Sequence, residues 1–163
     1  MMIEQGMLEK ARTCVSKLIE NNSKLVIAES CTAGLMSFLL SCIPGASKVL
    51  DYSFVVYSNE SKTKFLNIDK DLIDKYGAVS SEVSILMAVG VLENSKANIS
   101  ISITGFAGPA VDDEQVGLVY IGYASNIESD YKKCYFNDMS RYEVQVSSAD
   151  AAMDFLLYKI NKN

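Results

Sequence analysis

A chain of 163 residues, 49% of them apolar and 21% charged, with only 2 prolines, is long enough for one domain with its own core and has none of the marks of disorder. It contains no histidine, which excludes histidine triads, histidine-ligated metal sites and the usual general base near neutral pH; catalysis would fall to Lys, Tyr, Asp, Glu or a thiolate. The net charge of −5 argues against a general nucleic-acid binder, so an anionic substrate would have to be held by local groups.

The opening MMIEQGMLEK lacks the basic start and apolar run of a signal peptide, and Cys14, Cys31, Cys42 and Cys134 show no close paired spacing. Both features fit reduced thiols in a cytoplasmic protein. Met7, Leu8, Ala11, Cys14, Val15, Leu18 and Ile19 recur at helical spacing, which predicts an amphipathic helix ending at Asn21-Asn22. Residues 25–28 read as a short buried strand, and Glu29-Ser30-Cys31-Thr32 leads into a second helix over 33–43. Pro44-Gly45 stops that helix, and the same proline with the serines of 34–46 rules out a bilayer span. Residues 49–57 are aromatic and β-branched and predict a strand, followed by a polar turn and a short helix carrying Lys62 and Phe65.

After Tyr76-Gly77, Ser80 caps a helix in which Val83, Leu86, Met87 and Val91 repeat as far as Asn94, and Gly90 inside it signals close packing. Residues 98–104 alternate Ile99, Ile101 and Ile103 with Ser100 and Ser102, the period of a strand. The strand runs into the loop Thr104-Gly105-Phe106-Ala107-Gly108-Pro109. Residues 115–124 and 131–136 predict an antiparallel pair, and Ser140-Arg141-Tyr142-Glu143 is a capping box opening a last helix. The order of elements predicts a single domain over 1–163, a three-layer α/β/α sandwich with a mixed, mostly parallel sheet of about five strands.

Ligands of open α/β sheets bind beyond the carboxyl ends of the strands, which draws attention to three segments. At Glu29-Ser30-Cys31-Thr32-Ala33-Gly34, hydroxyls and free amides suit an anion or a polarised carbonyl, although plain helix capping is the simpler explanation of them. The glycines of the 104–109 loop let backbone amides approach a ligand, or make a tight turn; no phosphate-loop or dinucleotide signature is present. Ser47 with Lys48, and Tyr57 with Asn59 and Lys62, supply a serine, a tyrosine and a lysine, and a neutral lysine can activate a serine where no histidine exists; from the residues alone, a solvated helix lysine and a strand-edge tyrosine are the commoner reading. Cys31 near a helix start reads as a small buried thiol because no partner base is in view. Asp112-Asp113-Glu114 reads as solvated charge, and no spacing in the chain calls for a metal or cofactor.

Six stretches together resemble the CinA C-terminal domain family, whose single-domain forms include nicotinamide-nucleotide amidases. They are Ala28-Glu29-Ser30-Cys31-Thr32-Ala33-Gly34, Ile43-Pro44-Gly45-Ala46-Ser47, Phe54-Val55-Val56-Tyr57-Ser58-Asn59-Glu60-Ser61-Lys62, Tyr76-Gly77-Ala78-Val79-Ser80, Thr104-Gly105-Phe106-Ala107-Gly108-Pro109 and Val116-Gly117. The resemblance implies an anticodon-binding-like α/β/α fold and hydrolysis of the carboxamide of nicotinamide mononucleotide to nicotinate mononucleotide and ammonia. It further implies a small-molecule nucleotide as partner, with no nucleic acid or membrane, and a homodimer.

Carried over by position, the family's catalytic serine, tyrosine and lysine fall on Ser47, Tyr57 and Lys62. In the implied mechanism Lys62 and Tyr57 take the Ser47 proton as its oxygen attacks the amide carbon. Backbone amides and the hydroxyls of Thr32 or Thr104 stabilise the oxyanion. Glu29, Ser30, Thr32, Gly34, Asn59, Thr104, Gly105 and Gly108 fall on substrate-binding positions, and Arg141 is the candidate phosphate contact. Ala33 and Ala46 stand where the family has glycine and serine, Gln145 where it has arginine, and the loop after Pro109 is short. A nucleotide-binding or regulatory homologue, or an amidase for another small amide, are the alternative readings.

Overall fold

The computed structural model describes residues 5–111 and 113–162. The predicted first helix is α1, Gln5–Glu20, and the buried run after it is β1, Leu25–Glu29. There follow α2, Leu35–Ser41; a 3-10 turn, Ala46–Lys48; β2, Leu50–Val55; and α3, Asn59–Leu66. The second half of the chain contains α4, Lys70–Tyr76; α5, Ser81–Glu93; β3, Ile99–Gly105; β4, Leu118–Ser125; β5, Ser129–Tyr135; and α6, Arg141–Lys162. α4 escapes the sequence pattern because it is seven residues long and buries a single side chain, Ile73; Asp69 caps it by accepting from the Asp71 amide.

The five strands stand in the order β2-β1-β3-β4-β5, parallel across β2, β1 and β3 and antiparallel from β3 through β5. β1 lies between β2 and β3, and all five of its residues are buried. Its side chains divide between the two faces: Leu25 and Ile27 join a core with α1, α2 and α6, while Val26 and Ala28 join one with α3, α4 and α5.

The alternation of β3 has a physical purpose on each face. Ile99, Ile101 and Ile103 pack in the α1/α2/α6 core, whereas every hydroxyl on the other face finds a carbonyl. Ser100 Oγ donates to Ala88 at 2.7 Å, Ser102 Oγ to Ser84 at 2.5 Å and Thr104 Oγ1 to Ala78 at 2.8 Å. The two serine bonds draw α5 close to the sheet, where Gly122 of β4 leaves room for the Ser84 carbonyl; a Cβ there would stand 2.1 Å from that oxygen. No described helix is long and apolar enough to cross a membrane.

Candidate functional site

β1 and β2 run parallel and deliver their carboxyl ends side by side, where the Val56 N–H donates to the Glu29 carbonyl at 2.8 Å. Ser30 is the first residue beyond β1. Ser58 caps α3 by accepting from the Ser61 amide at 3.1 Å, so the helix begins directly over this edge and Lys62, one turn in, points down into it. The Lys62 side chain is 1% exposed, and no carboxylate among the described residues pairs with it.

Three oxygens surround the Lys62 Nζ: the Val56 carbonyl at 3.1 Å, the Tyr57 carbonyl at 3.3 Å and Ser30 Oγ at 3.3 Å. Carbonyls can only accept. A neutral amine has two N–H donors and one lone pair, so with both donors on the carbonyls the lone pair is left for the Ser30 hydroxyl proton. Burial pushes the Lys62 ammonium below the usual lysine range, against a smaller upward pull from Cys31 and Glu60.

A cavity of about 340 Å³ opens above this pair. The structure brings Ser30, Tyr57, Asn59, Lys62, Thr104, Gly105, Gly108 and Arg141 to its wall, with Phe106, Pro109 and Glu114. Arg141, at the start of α6, donates to the Gly108 carbonyl and to the Tyr57 hydroxyl. Those two bonds leave further guanidinium donors at the cavity mouth.

Ser47 is not in this cavity, which corrects the expectation that it partners Lys62. It is an exposed residue of the 3-10 turn before β2. That turn lies at the amino end of the sheet, where the Val49 carbonyl accepts from the Leu25 N–H at 2.7 Å. The six residues of β2 separate the turn from the Lys62 edge, about 20 Å of extended chain. Ser30 occupies the place assigned to Ser47. Tyr57 is also corrected as a proton relay: Lys62 meets its backbone carbonyl, while its ring is 55% exposed and its hydroxyl accepts from Arg141.

Glu29, Thr32 and Gly34, expected at the substrate, are instead spent on the turn. The wholly buried Glu29 carboxylate accepts from Thr32 Oγ1 at 2.6 Å, from the amides of Gly34, Met36 and Ser37 at 3.0, 3.3 and 2.9 Å, and from Ser37 Oγ at 2.6 Å. It thereby caps α2 from inside the sheet. Gly34, at φ +96°, takes the left-handed conformation that glycine adopts without penalty, and Ala33 beside it holds φ 52°.

The hydroxyls proposed for the oxyanion are likewise committed, Thr32 to Glu29 and Thr104 to the Ala78 carbonyl. Among the described residues no backbone or side-chain oxygen accepts from the N–H groups of Cys31 and Thr32, the first donors of the turn after Ser30. Cys31 also lines the cavity, but burial pushes its thiol up to about 12, far from a thiolate nucleophile. Among the described residues no group of three or more His, Cys, Asp or Glu is gathered as a metal site would require, and Asp112 of the acidic loop lies outside those residues.

A profile of the CinA C-terminal domain matches residues 8–160. The chain is similar to a Caldicellulosiruptor bescii protein assigned by name to the competence-damage inducible proteins, with 40% identity over 97% of this chain and 38% of that one. A CinA-like protein of Prochlorococcus marinus is 42% identical over 87% of this chain and 34% of its own length. The chain therefore spans between about a quarter and two fifths of the curated relatives it matches. Among solved structures, the competence/damage inducible protein CihA of Agrobacterium tumefaciens superposes with a TM-score of 0.92 at 29% identity, covering 99% of both chains. A CinA superfamily protein of Klebsiella pneumoniae gives 0.93 at 25% identity, over 98% of this chain and 100% of that one.

Proposed function

The chain belongs to the CinA C-terminal domain family, and from that membership and the Ser30–Lys62 pair we propose that it is an amidohydrolase converting nicotinamide mononucleotide to nicotinate mononucleotide and ammonia. The observation that carries the proposal is the buried Lys62 amine, held by two carbonyls with its remaining position on Ser30 Oγ. It is the arrangement expected of a general base acting on a nucleophile in a protein without histidine.

In the first half-reaction Ser30 Oγ attacks the carboxamide carbon while its proton passes to Lys62 Nζ. The oxyanion forms beside the Cys31 and Thr32 amides. Collapse breaks the carbon–nitrogen bond, the Lys62 proton goes to the departing nitrogen, and ammonia leaves an ester on Ser30. Water then attacks the ester carbon as Lys62 takes its proton, and that proton returns to Ser30 Oγ as the carboxylate product departs. Atoms balance as amide plus water giving acid plus ammonia.

At the mouth, Arg141 offers its remaining donors to the phosphate, in the fork geometry that suits that group. Asn59, Gly105 and Gly108 line the same cavity, and the proposal assigns them to the ribose and the ring. The partner is accordingly a small nucleotide.

The test is release of ammonia and of nicotinate mononucleotide by the purified protein and three variants. Ser30→Ala and Lys62→Met are expected to lower turnover by about a thousandfold or more, and Ser47→Ala to leave it within about twofold. A Ser30→Ala variant as active as the parent would overturn the proposal.

A further inference from the structure

The turn after β1 satisfies two of its three carbonyls internally. The Ser30 carbonyl accepts from the Ala33 amide and the Thr32 carbonyl from the Leu35 amide, both at 3.1 Å. Between them, the Cys31 carbonyl would take the Gly34 N–H if the i to i+3 pattern ran on unbroken. That N–H is diverted to Glu29 Oε2 at 3.0 Å. The Cys31 carbonyl is met instead from α6, where Gln145 Nε2 donates to it at 2.8 Å.

Gln145 lies one helical turn beyond Arg141, on the same face of α6. The helix that sets a guanidinium at the mouth of the cavity therefore sets an amide donor behind the serine turn. Gln145 is not part of the cavity wall. The only described hydrogen bond of its side chain is to the backbone of the residue next to Ser30.

We infer that Gln145 is a positioning residue for the reaction at Ser30: by holding the Cys31 carbonyl it fixes the peptide that carries the Thr32 N–H, which has no oxygen acceptor among the described residues. A trans peptide is planar, so the direction of its carbonyl sets the direction of the N–H on the following residue. Glu29 and Gln145 thus grip the turn from opposite ends, the first through Gly34 and the second through Cys31. Without Gln145 the Cys31 carbonyl has no partner in the turn, and the peptide is free to rotate away from the orientation the oxyanion needs. The effect belongs to the transition state and leaves ground-state binding of the nucleotide untouched.

This inference rests on Ser30 being the nucleophile, and its test separates the two. Gln145→Met keeps the length of the side chain and removes the donor; Gln145→Arg keeps an N–H donor. Turnover of nicotinamide mononucleotide is measured for parent and both variants, together with the rate at which phenylmethanesulfonyl fluoride labels Ser30 across pH, the label being located by mass spectrometry. Thermal unfolding checks that all three fold. Gln145→Met is expected to lose about tenfold or more in kcat with KM within about twofold, and to label about tenfold more slowly with an unchanged pH midpoint. Gln145→Arg is expected to recover most of both losses.

A Gln145→Met variant that matches the parent in kcat and in labelling overturns the inference while leaving the proposed function standing. So does a shifted pH midpoint, which would mean that Gln145 acts through Lys62. If the parent leaves the mononucleotide intact and Ser30 labelling still falls in Gln145→Met, the inference stands and the substrate assignment fails. If the parent neither turns over nor labels at Ser30, both fall.

Discussion

Glu29→Gln exchanges one carboxylate oxygen for an NH2 group at a place where every neighbour is a donor. Oε2 accepts from the Thr32 hydroxyl and from the Gly34 and Met36 amides, and Oε1 accepts from the Ser37 amide and hydroxyl. An NH2 on the Oε2 side would face two fixed amide hydrogens. On the Oε1 side it faces one, because the Ser37 hydroxyl, which also lies 2.7 Å from Ser53 Oγ, can turn to accept. The glutamine therefore settles with its oxygen toward Gly34 and Met36, loses the Ser37 amide bond and gives up the charge on the rest. One lost charge-assisted bond and one buried unsatisfied amide together amount to about 3 kcal/mol. In a chain of this length that lowers the thermal midpoint by about 6–12 °C. Urea unfolding of parent and variant, read by circular dichroism, supplies the number. A loss below about 1 kcal/mol would mean that the carboxylate is not what holds the serine turn to α2, and the reasoning about its five donors would be wrong.

Lys62→Met tests the buried amine through pH. With the folded lysine titrating below 10.5, the unfolded chain binds more protons between the two values, so the parent gains stability as pH rises through that window. Below the window the amine is protonated in both states and the full cost of burying the ammonium is present, about 1.36 kcal/mol per pKa unit of the depression, and Met carries no such cost. The stability difference between parent and variant is expected to move in the parent's favour as pH rises toward 10.5; a difference independent of pH would refute the burial argument. Ala33→Gly relieves an exposed alanine held at φ 52° and is expected to stabilise by about 0.5–1 kcal/mol once the extra freedom of unfolded glycine is subtracted, with destabilisation as the contrary result. Gly90→Ala drives a Cβ to 2.2 Å from the Leu66 carbonyl oxygen of α3, a backbone atom that cannot swing aside. It is expected to cost about 1–3 kcal/mol in urea unfolding even though alanine is the better helix former, and a neutral result would show that α3 and α5 part easily.

Much of the fold can be read from the sequence because local pattern and tertiary role agree. The Ile and Ser alternation of β3 predicts a strand and also names the two faces, and the Ser140 and Glu143 box that opens α6 forms as expected, with Glu143 Oε2 accepting from the Ser140 amide at 2.8 Å. The lysine is legible through the family resemblance, since by residue type alone it reads as an ordinary helix lysine. Its serine partner could not be chosen by spacing. Ser47 is nearer to Lys62 in the chain, but nearness along the chain says nothing about which end of a strand a residue occupies.

The decisive fact is the parallel pairing of β1 with β2, which sets Ser30 beside Val56 and carries Ser47 to the far end. One signal did favour Ser30: it follows a strand, as ligand-binding residues of such sheets do, whereas Ser47 precedes one. Glu29 misled for a related reason. A carboxylate at a strand end resembles a substrate contact until the five donors that consume it are known, and three of those come from α2, beyond the turn.

The account stands on Ser30 carrying the acyl group, and peptide mapping of protein quenched in acid during turnover of nicotinamide mononucleotide looks for it directly. The peptide containing Ser30 is expected to gain the mass of the substrate less ammonia, and the gain to vanish in Lys62→Met. The same mass on the peptide containing Ser47, or product forming through the quench series while Ser30 stays unmodified, would contradict it.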